Sequence, residues 1–170
     1  MSRRLLLLLR HAKSDWPVGV PDHQRPLADR GRRQAPLAGR WLAERDLVPD
    51  LALVSSAVRT QQTWDLVRAE LDADVPALVE DALYDAGLTG MLDRLHALPD
   101  DLATVLVVGH NPGTKILDAF LDDGTGPADD RAHMMGKYPT GAIAVLSLVV
   151  DTWADVDRDT ARLEAFVVPR

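Results

Sequence analysis

Residues 5–9 are five consecutive leucines that end in Arg10 and His11. A run this short, apolar on both faces of the pleat, suits a central strand buried from both sides. The pattern recurs. Thr104-Val105-Leu106-Val107-Val108 runs into Gly109-His110, and more weakly Leu51-Ala52-Leu53-Val54 runs into Ser55-Ser56, with Arg59 shortly after. Open α/β sheets place their ligands beyond the carboxyl ends of the strands. Two histidines and two arginines at three strand ends therefore mark the candidate site.

The 170 residues suffice for one domain spanning 1–170 with a proper core. The net charge of −7 argues against nucleic acid or a membrane surface as partner. With no cysteine there is no disulfide, thiol nucleophile or thiolate metal site, and a reducing cytoplasm fits. Ser2-Arg3-Arg4 before the leucines imitates a secretion signal, but Arg10 cuts the apolar run too short. The expected location is the cytoplasm.

Along the chain, residues 4–10 read as the first strand and 12–24 as a proline- and glycine-rich loop whose first few residues wall the site. A helix follows to about residue 47, with Pro36 either in its first turn or kinking it. Arg25, just before that helix, shares the loop with His11. Strand 51–54 leads into a helix over 57–71 with Arg59 in its first turn, against the helix dipole. A shared anionic ligand explains a cation placed there. Residues 75–79 read as an edge strand, limited by Pro76, and 88–98 as a helix. After strand 104–108, Asn111 as N-cap and Pro112 as first residue open a helix to residue 121, leaving backbone N–H groups near His110 for an anion. Residues 122–139 read as an irregular loop, either a lid carrying His133-Met134-Met135 or a surface segment. Strands 142–150 and 161–168 close the chain as a hairpin, giving a mixed sheet.

Arginine forks around imidazoles suit a ligand with several anionic oxygens. Cations nearby keep an imidazole neutral, and a neutral ring nitrogen is a nucleophile toward phosphorus. Leu9-Arg10-His11-Ala12 resembles the Arg-His-Gly signature of the histidine phosphatase superfamily, which includes the phosphoglycerate mutases; Ala12 replaces the usual glycine. The opening Arg10-His11-Ala12-Lys13-Ser14-Asp15-Trp16, then Arg25-Pro26-Leu27 and Gly109-His110-Asn111-Pro112, resemble the phosphohistidine phosphatases of the SixA type across essentially the whole chain.

The resemblance implies an α/β fold, a three-layer α/β/α sandwich with a mostly parallel, mixed central sheet. It implies His11 as the phosphorylated nucleophile, and Arg10, Arg59 and His110 as the rest of the phosphate pocket. Arg25 and Asn111 are expected as further substrate ligands, with no metal and no cofactor. Glu80, Asp81 and Asp85 all fall about where larger members of the superfamily keep a general acid, and the motifs do not choose among them. Without such an acid the site favours a good leaving group, and a short chain leaves the pocket open to a protein surface. The expected substrate is a phosphorylated protein carrying phosphohistidine, cleaved to inorganic phosphate by a monomeric enzyme. The alternatives are a broad phosphomonoesterase for small phosphorylated molecules and a phosphate-binding module without turnover. Histidines acting as metal ligands lack neighbouring carboxylates, and histidines merely buried in a core leave the paired strand-end placement unexplained.

Overall fold

The computed structural model describes residues 3–170, so Ser2 of the basic N-terminal stretch lies outside it. The elements in order are β1 (Arg4–Arg10), α1 (Asp29–Glu44), β2 (Leu51–Ser55), α2 (Val58–Arg68), β3 (Ala77–Glu80), α3 (Leu88–His96), β4 (Thr104–Gly109), α4 (Gly113–Leu121), α5 (Ala128–Gly136), β5 (Ile143–Leu148) and β6 (Ala161–Val167). They form one mixed six-stranded sheet of order β3-β2-β4-β1-β5-β6. β3, β2, β4 and β1 are parallel, and β5 and β6 add antiparallel.

The leucine run occupies the place its composition demands. Leu6 and Leu8 face one core with Met91, Leu95, Leu117 and Leu121 of α3 and α4. Leu7 and Leu9 face the other, with Ala38, Leu42, Trp64 and Val67 of α1 and α2. Period-two alternation thus feeds two helical layers from one strand, and the α/β/α sandwich follows. Each buried leucine contributes about 1.5–3 kcal/mol of transfer free energy. The edge strand β3 has four residues, with Leu78 and Val79 exposed, and Pro76 stands just outside it.

One alternative is decided and one expectation needs correction. α1 runs through Pro36, which lies well beyond its first turn. Residues 122–139 are not irregular: they contain α5, entered through Pro127 with Asp129 and Asp130 in its first turn, as the helix dipole favours. Met134 is buried in the core and His133 packs edge-on against Phe166, which docks this segment on the body of the protein. No helix among the described residues is long and apolar enough to cross a membrane.

Gly31 holds α1 against the site. A Cβ there would lie 2.0 Å from the Lys13 carbonyl oxygen, so only glycine lets this turn approach the backbone that follows His11. Ala28 N–H donates to that same carbonyl at 2.9 Å.

Asp118 on α4 is fully buried, and neither carboxyl oxygen has a partner among the described residues. Burial, and then the charge of Asp122, push its pKa up to about 8. The folded state therefore holds a proton that the unfolded chain releases near pH 4. This contribution is complete below pH 4 and is lost as pH rises to about 8. Urea midpoints of the wild type should fall across that window, and Asp118→Asn, neutral at every pH, should flatten the fall.

Candidate active site

Three neighbouring parallel strands, β2, β4 and β1, end at the same edge of the sheet. They deliver Ser55, His110 and the Arg10-His11 pair, and α2 opens just beyond with Arg59 in its first turn. The His11 N–H donates to the Gly109 carbonyl at 3.0 Å, so the two histidine-bearing strand ends are tied by backbone. The imidazoles of His11 and His110 lie with centroids 5.3 Å apart. The structure thus brings together Arg10, His11, Arg59 and His110.

His11 is buried, and its Nδ1 lies 2.7 Å from the carbonyl oxygen of Ala12. A carbonyl only accepts, so Nδ1 carries the proton and Nε2 keeps its lone pair. The Ala12 N–H in turn donates to Thr63 Oγ1 at 3.0 Å. The His11 pKa is pushed down to about 3, mainly by burial, which outweighs the neighbouring positive charges of His110, Arg59 and Arg10. The neutral imidazole expected from the arginines is therefore neutral chiefly because it is dry.

His110 Nε2 shares a 2.7 Å hydrogen bond with Ser55 Oγ, and its Nδ1 is buried without a partner. When the Ser55 hydroxyl donates to Nε2, the ring keeps its own proton on Nδ1, available for a bound anion. Burial first, and then Arg59, lower its pKa to about 4. Arg10 donates from Nη1 to the Tyr138 carbonyl at 2.9 Å, and its buried Nε has no partner. Arg59 donates from Nη1 to the Asp22 carbonyl at 2.8 Å and from Nη2 to Asp22 Oδ2 at 3.2 Å.

A cavity of about 510 Å³ opens here, with Arg59, His110, Asn111, Asp22, Tyr84 and Asp85 among its lining. Arg10 and His11 are not in its lining, but the His11 ring lies beside that of His110, which is. Arg25 does not line it either. Its three guanidinium nitrogens donate to Asp15 O at 2.9 Å, Asp22 Oδ1 at 2.8 Å and Ser14 Oγ at 2.6 Å, and it stacks on Trp16. Arg25, expected as a substrate ligand, is thus engaged by the protein's own acceptors and touches the cavity through Asp22.

Asn111 lines the cavity but does not cap α4. The helix starts at Gly113 with Pro112 in the cap position, and Asn111 Nδ2 donates to the Tyr138 carbonyl at 2.9 Å. The side chain expected to cap the helix is engaged across the site.

Of the three candidate acids, Glu80 is bound by Arg94 Nε at 2.7 and 2.6 Å, and Asp81 lies exposed outside the cavity. Only Asp85 lines it, with a left-handed φ of 60°.

Sequence reasoning misses Asp22 and Tyr84. Asp22 accepts from Tyr84 Oη at 2.5 Å, besides Arg25 and Arg59. Those bonds, Tyr84 first and Arg25 second, hold its carboxyl well below the usual carboxylate range. The far end of loop 12–24 therefore walls the site, rather than its first few residues. Arg25, three positions after Asp22, is the available signal. No group of three or more histidine or carboxylate side chains that could hold a metal ion occurs among the described residues.

The profile of the Histidine phosphatase superfamily (branch 1) matches residues 6–94. The chain belongs to this superfamily. A protein of Mycobacterium tuberculosis is 41% identical over 163 residues, covering 95% of this chain and all of its own. A structure assigned to phosphohistidine phosphatase SixA of Nakamurella multipartitia superposes with a TM-score of 0.85 at 32% identity, covering 99% of this chain and 98% of that one. Another with the same assignment, from Agrobacterium tumefaciens, gives 0.79 at 28% identity and covers 98% of both. A 2,3-bisphosphoglycerate-dependent phosphoglycerate mutase of Nitrobacter winogradskyi is 39% identical over 91 residues, half of this chain and 43% of the mutase. Superfamily membership and these neighbours support phosphatase activity.

Both site histidines should stay neutral through mildly acidic conditions. In a nitrogen-15 NMR titration, the ring signals of His11 and His110 should hold between pH 8 and 5 and move only toward their lowered values of about 3 and 4. Arg59→Ala should weaken vanadate binding by at least about tenfold, the loss of one charge-assisted contact, as read by isothermal titration calorimetry.

Proposed function

We propose that the chain, acting as one catalytic domain, is a phosphohistidine phosphatase with a phosphoprotein substrate. The observation that carries this is the state of Asp22, one of the two carboxylates that line the cavity. Asp22 takes hydrogen bonds from three donors and is held ionised, so it accepts and does not supply a proton. The proton of Tyr84 is held by the same bond, which raises its pKa. With Glu80 committed to Arg94, Asp85 is the one remaining candidate acid, and in this reading the leaving group departs with little help. Imidazole does so: its conjugate acid has a pKa of about 6.5, far below that of a sugar hydroxyl. The assignments of the Nakamurella and Agrobacterium structures agree with this reading.

In the proposed reaction His11 Nε2 attacks phosphorus in line, forming an N–P bond as the substrate's own N–P bond breaks. The electron pair of that bond returns to the substrate imidazole, which leaves neutral when its distal nitrogen is protonated. Arg10, Arg59 and the Nδ1–H of His110 stabilise charge on the equatorial oxygens. Water then attacks the phosphohistidine at residue 11 and releases inorganic phosphate, restoring the neutral ring. No step is assigned to a metal.

A second reading, a small-molecule phosphomonoesterase, is favoured by Asp85, which lines the cavity and has no ion pair or hydrogen bond among the described residues. The two readings separate on leaving group. A phosphohistidine peptide and p-nitrophenyl phosphate should turn over, a sugar phosphate should not, and His11→Ala should abolish all turnover. Asp85→Asn should leave phosphohistidine hydrolysis within about twofold, since general acid catalysis typically contributes about 10²-fold or more where it operates. A sugar phosphate as best substrate, lost in Asp85→Asn, would make Asp85 the acid and the protein a metabolite phosphatase.

A further inference from the structure

A second pocket of about 380 Å³ lies apart from the cavity just described, and its lining includes Arg30, His133, Lys137, Thr140, Val168 and Arg170. The side chains of Arg30, Lys137 and Arg170 form no ion pair among the described residues, and no aspartate or glutamate lines the pocket. Asp130, on the adjoining α5, is turned to the Phe166 N–H at 3.1 Å. Three unpaired cations around one concavity are unexpected in a chain of net charge −7. Lys137 follows the C-terminus of α5, where the dipole favours a cation. Arg30 has no such explanation: it is in the first turn of α1, where the dipole opposes it.

Topology relates this pocket to the chemistry. β5 is antiparallel to β1, and β6 to β5, so the end of β6 returns to the edge at which β1 delivers His11. Val167 and Val168 are thus two strands from His11, about 10 Å at about 4.8 Å per strand. Gln34 spans the interval: its Nε2 donates to Thr140 O at 2.7 Å, and its Oε1 accepts from Lys13 N at 3.1 Å. Both pockets therefore open along one edge of the sheet.

Resting on the proposed function, we propose that this basic pocket is a docking subsite for the substrate protein. It takes a carboxylate-bearing segment, aspartate or glutamate side chains, about 10 Å from the phosphohistidine, the two-strand spacing. A small phosphorylated metabolite in the main cavity has no group to reach it, so the subsite distinguishes protein from metabolite substrates. Its exposed cations act on encounter and binding rather than on the chemical step.

The test pairs two readouts on wild type and on the double variant Arg30→Glu, Lys137→Gln. Glutamate at position 30 suits the helix dipole, so loss of function there is not loss of fold, which circular dichroism checks. In the first readout, fluorescence anisotropy follows a labelled aspartate-rich peptide that lacks phosphate. Wild type should bind it, the double variant about tenfold more weakly or worse, and about 1 M salt, with its ~3 Å screening length, should abolish binding. No binding to wild type, or equal binding to both proteins, overturns the subsite.

In the second readout, a phosphohistidine peptide with flanking aspartates is compared with its asparagine counterpart. The double variant should raise KM for the aspartate peptide alone, leaving kcat and p-nitrophenyl phosphate turnover unchanged. An equal change for both peptides also overturns the subsite. Failure of wild type to hydrolyse either peptide while p-nitrophenyl phosphate turns over overturns the phosphohistidine reading instead. In that case the anisotropy readout alone decides whether the pocket binds acidic peptides.

Discussion

His11 donates its Nδ1 proton to the carbonyl of its own neighbour, Ala12, and the rest of the site is arranged to keep that contact in place. The bond fixes the tautomer and leaves the lone pair on Nε2. Ala12 is pinned through Thr63 on α2, and Lys13 through Ala28 and the close approach of Gly31 on α1. Two helices on one side of the sheet thus hold the backbone on both sides of that carbonyl. Burial of the ring supplies the other half of the constraint, and it does more than any neighbouring charge to keep it neutral.

Charge in the site is arranged in a matching way. Asp22 joins Arg25, Arg59 and Tyr84, so one carboxylate orders groups from the loop before α1, from α2 and from the turn after β3. Such an acceptor cannot also give a proton. The same contacts that position the cations therefore take Asp22 out of the set of possible proton donors.

The features legible in the sequence are those that depend on local pattern. Apolar runs ending in His11 and His110 announce buried strands and a strand-end site, and Arg59, set against its helix dipole, announces itself by its position. Tyr84 and Asp22 carry no such mark, because their role arises from a contact 62 residues apart in sequence. Arg25 looks like a ligand because nothing local shows that Ser14, Asp15 and Asp22 absorb its donors. α5 escapes a pattern reading because its apolar content is thin and its docking rests chiefly on Met134. Asn111 resembles a helix cap because the partner that engages it, the Tyr138 carbonyl, lies in a distant segment.

That carbonyl has a wider consequence. It accepts from Arg10, 128 residues earlier, as well as from Asn111, while the Tyr138 hydroxyl donates to Leu8 O. Residues 6–94 carry the superfamily's recognisable signature, yet His110 and Tyr138 lie beyond it. The site is therefore not a cassette. A fragment holding the signature retains His11 but lacks the second imidazole and the anchor of the first arginine. Grafting or splitting this site would have to carry both halves of the chain, and a nascent polypeptide lacks the complete cluster until Tyr138 has been made.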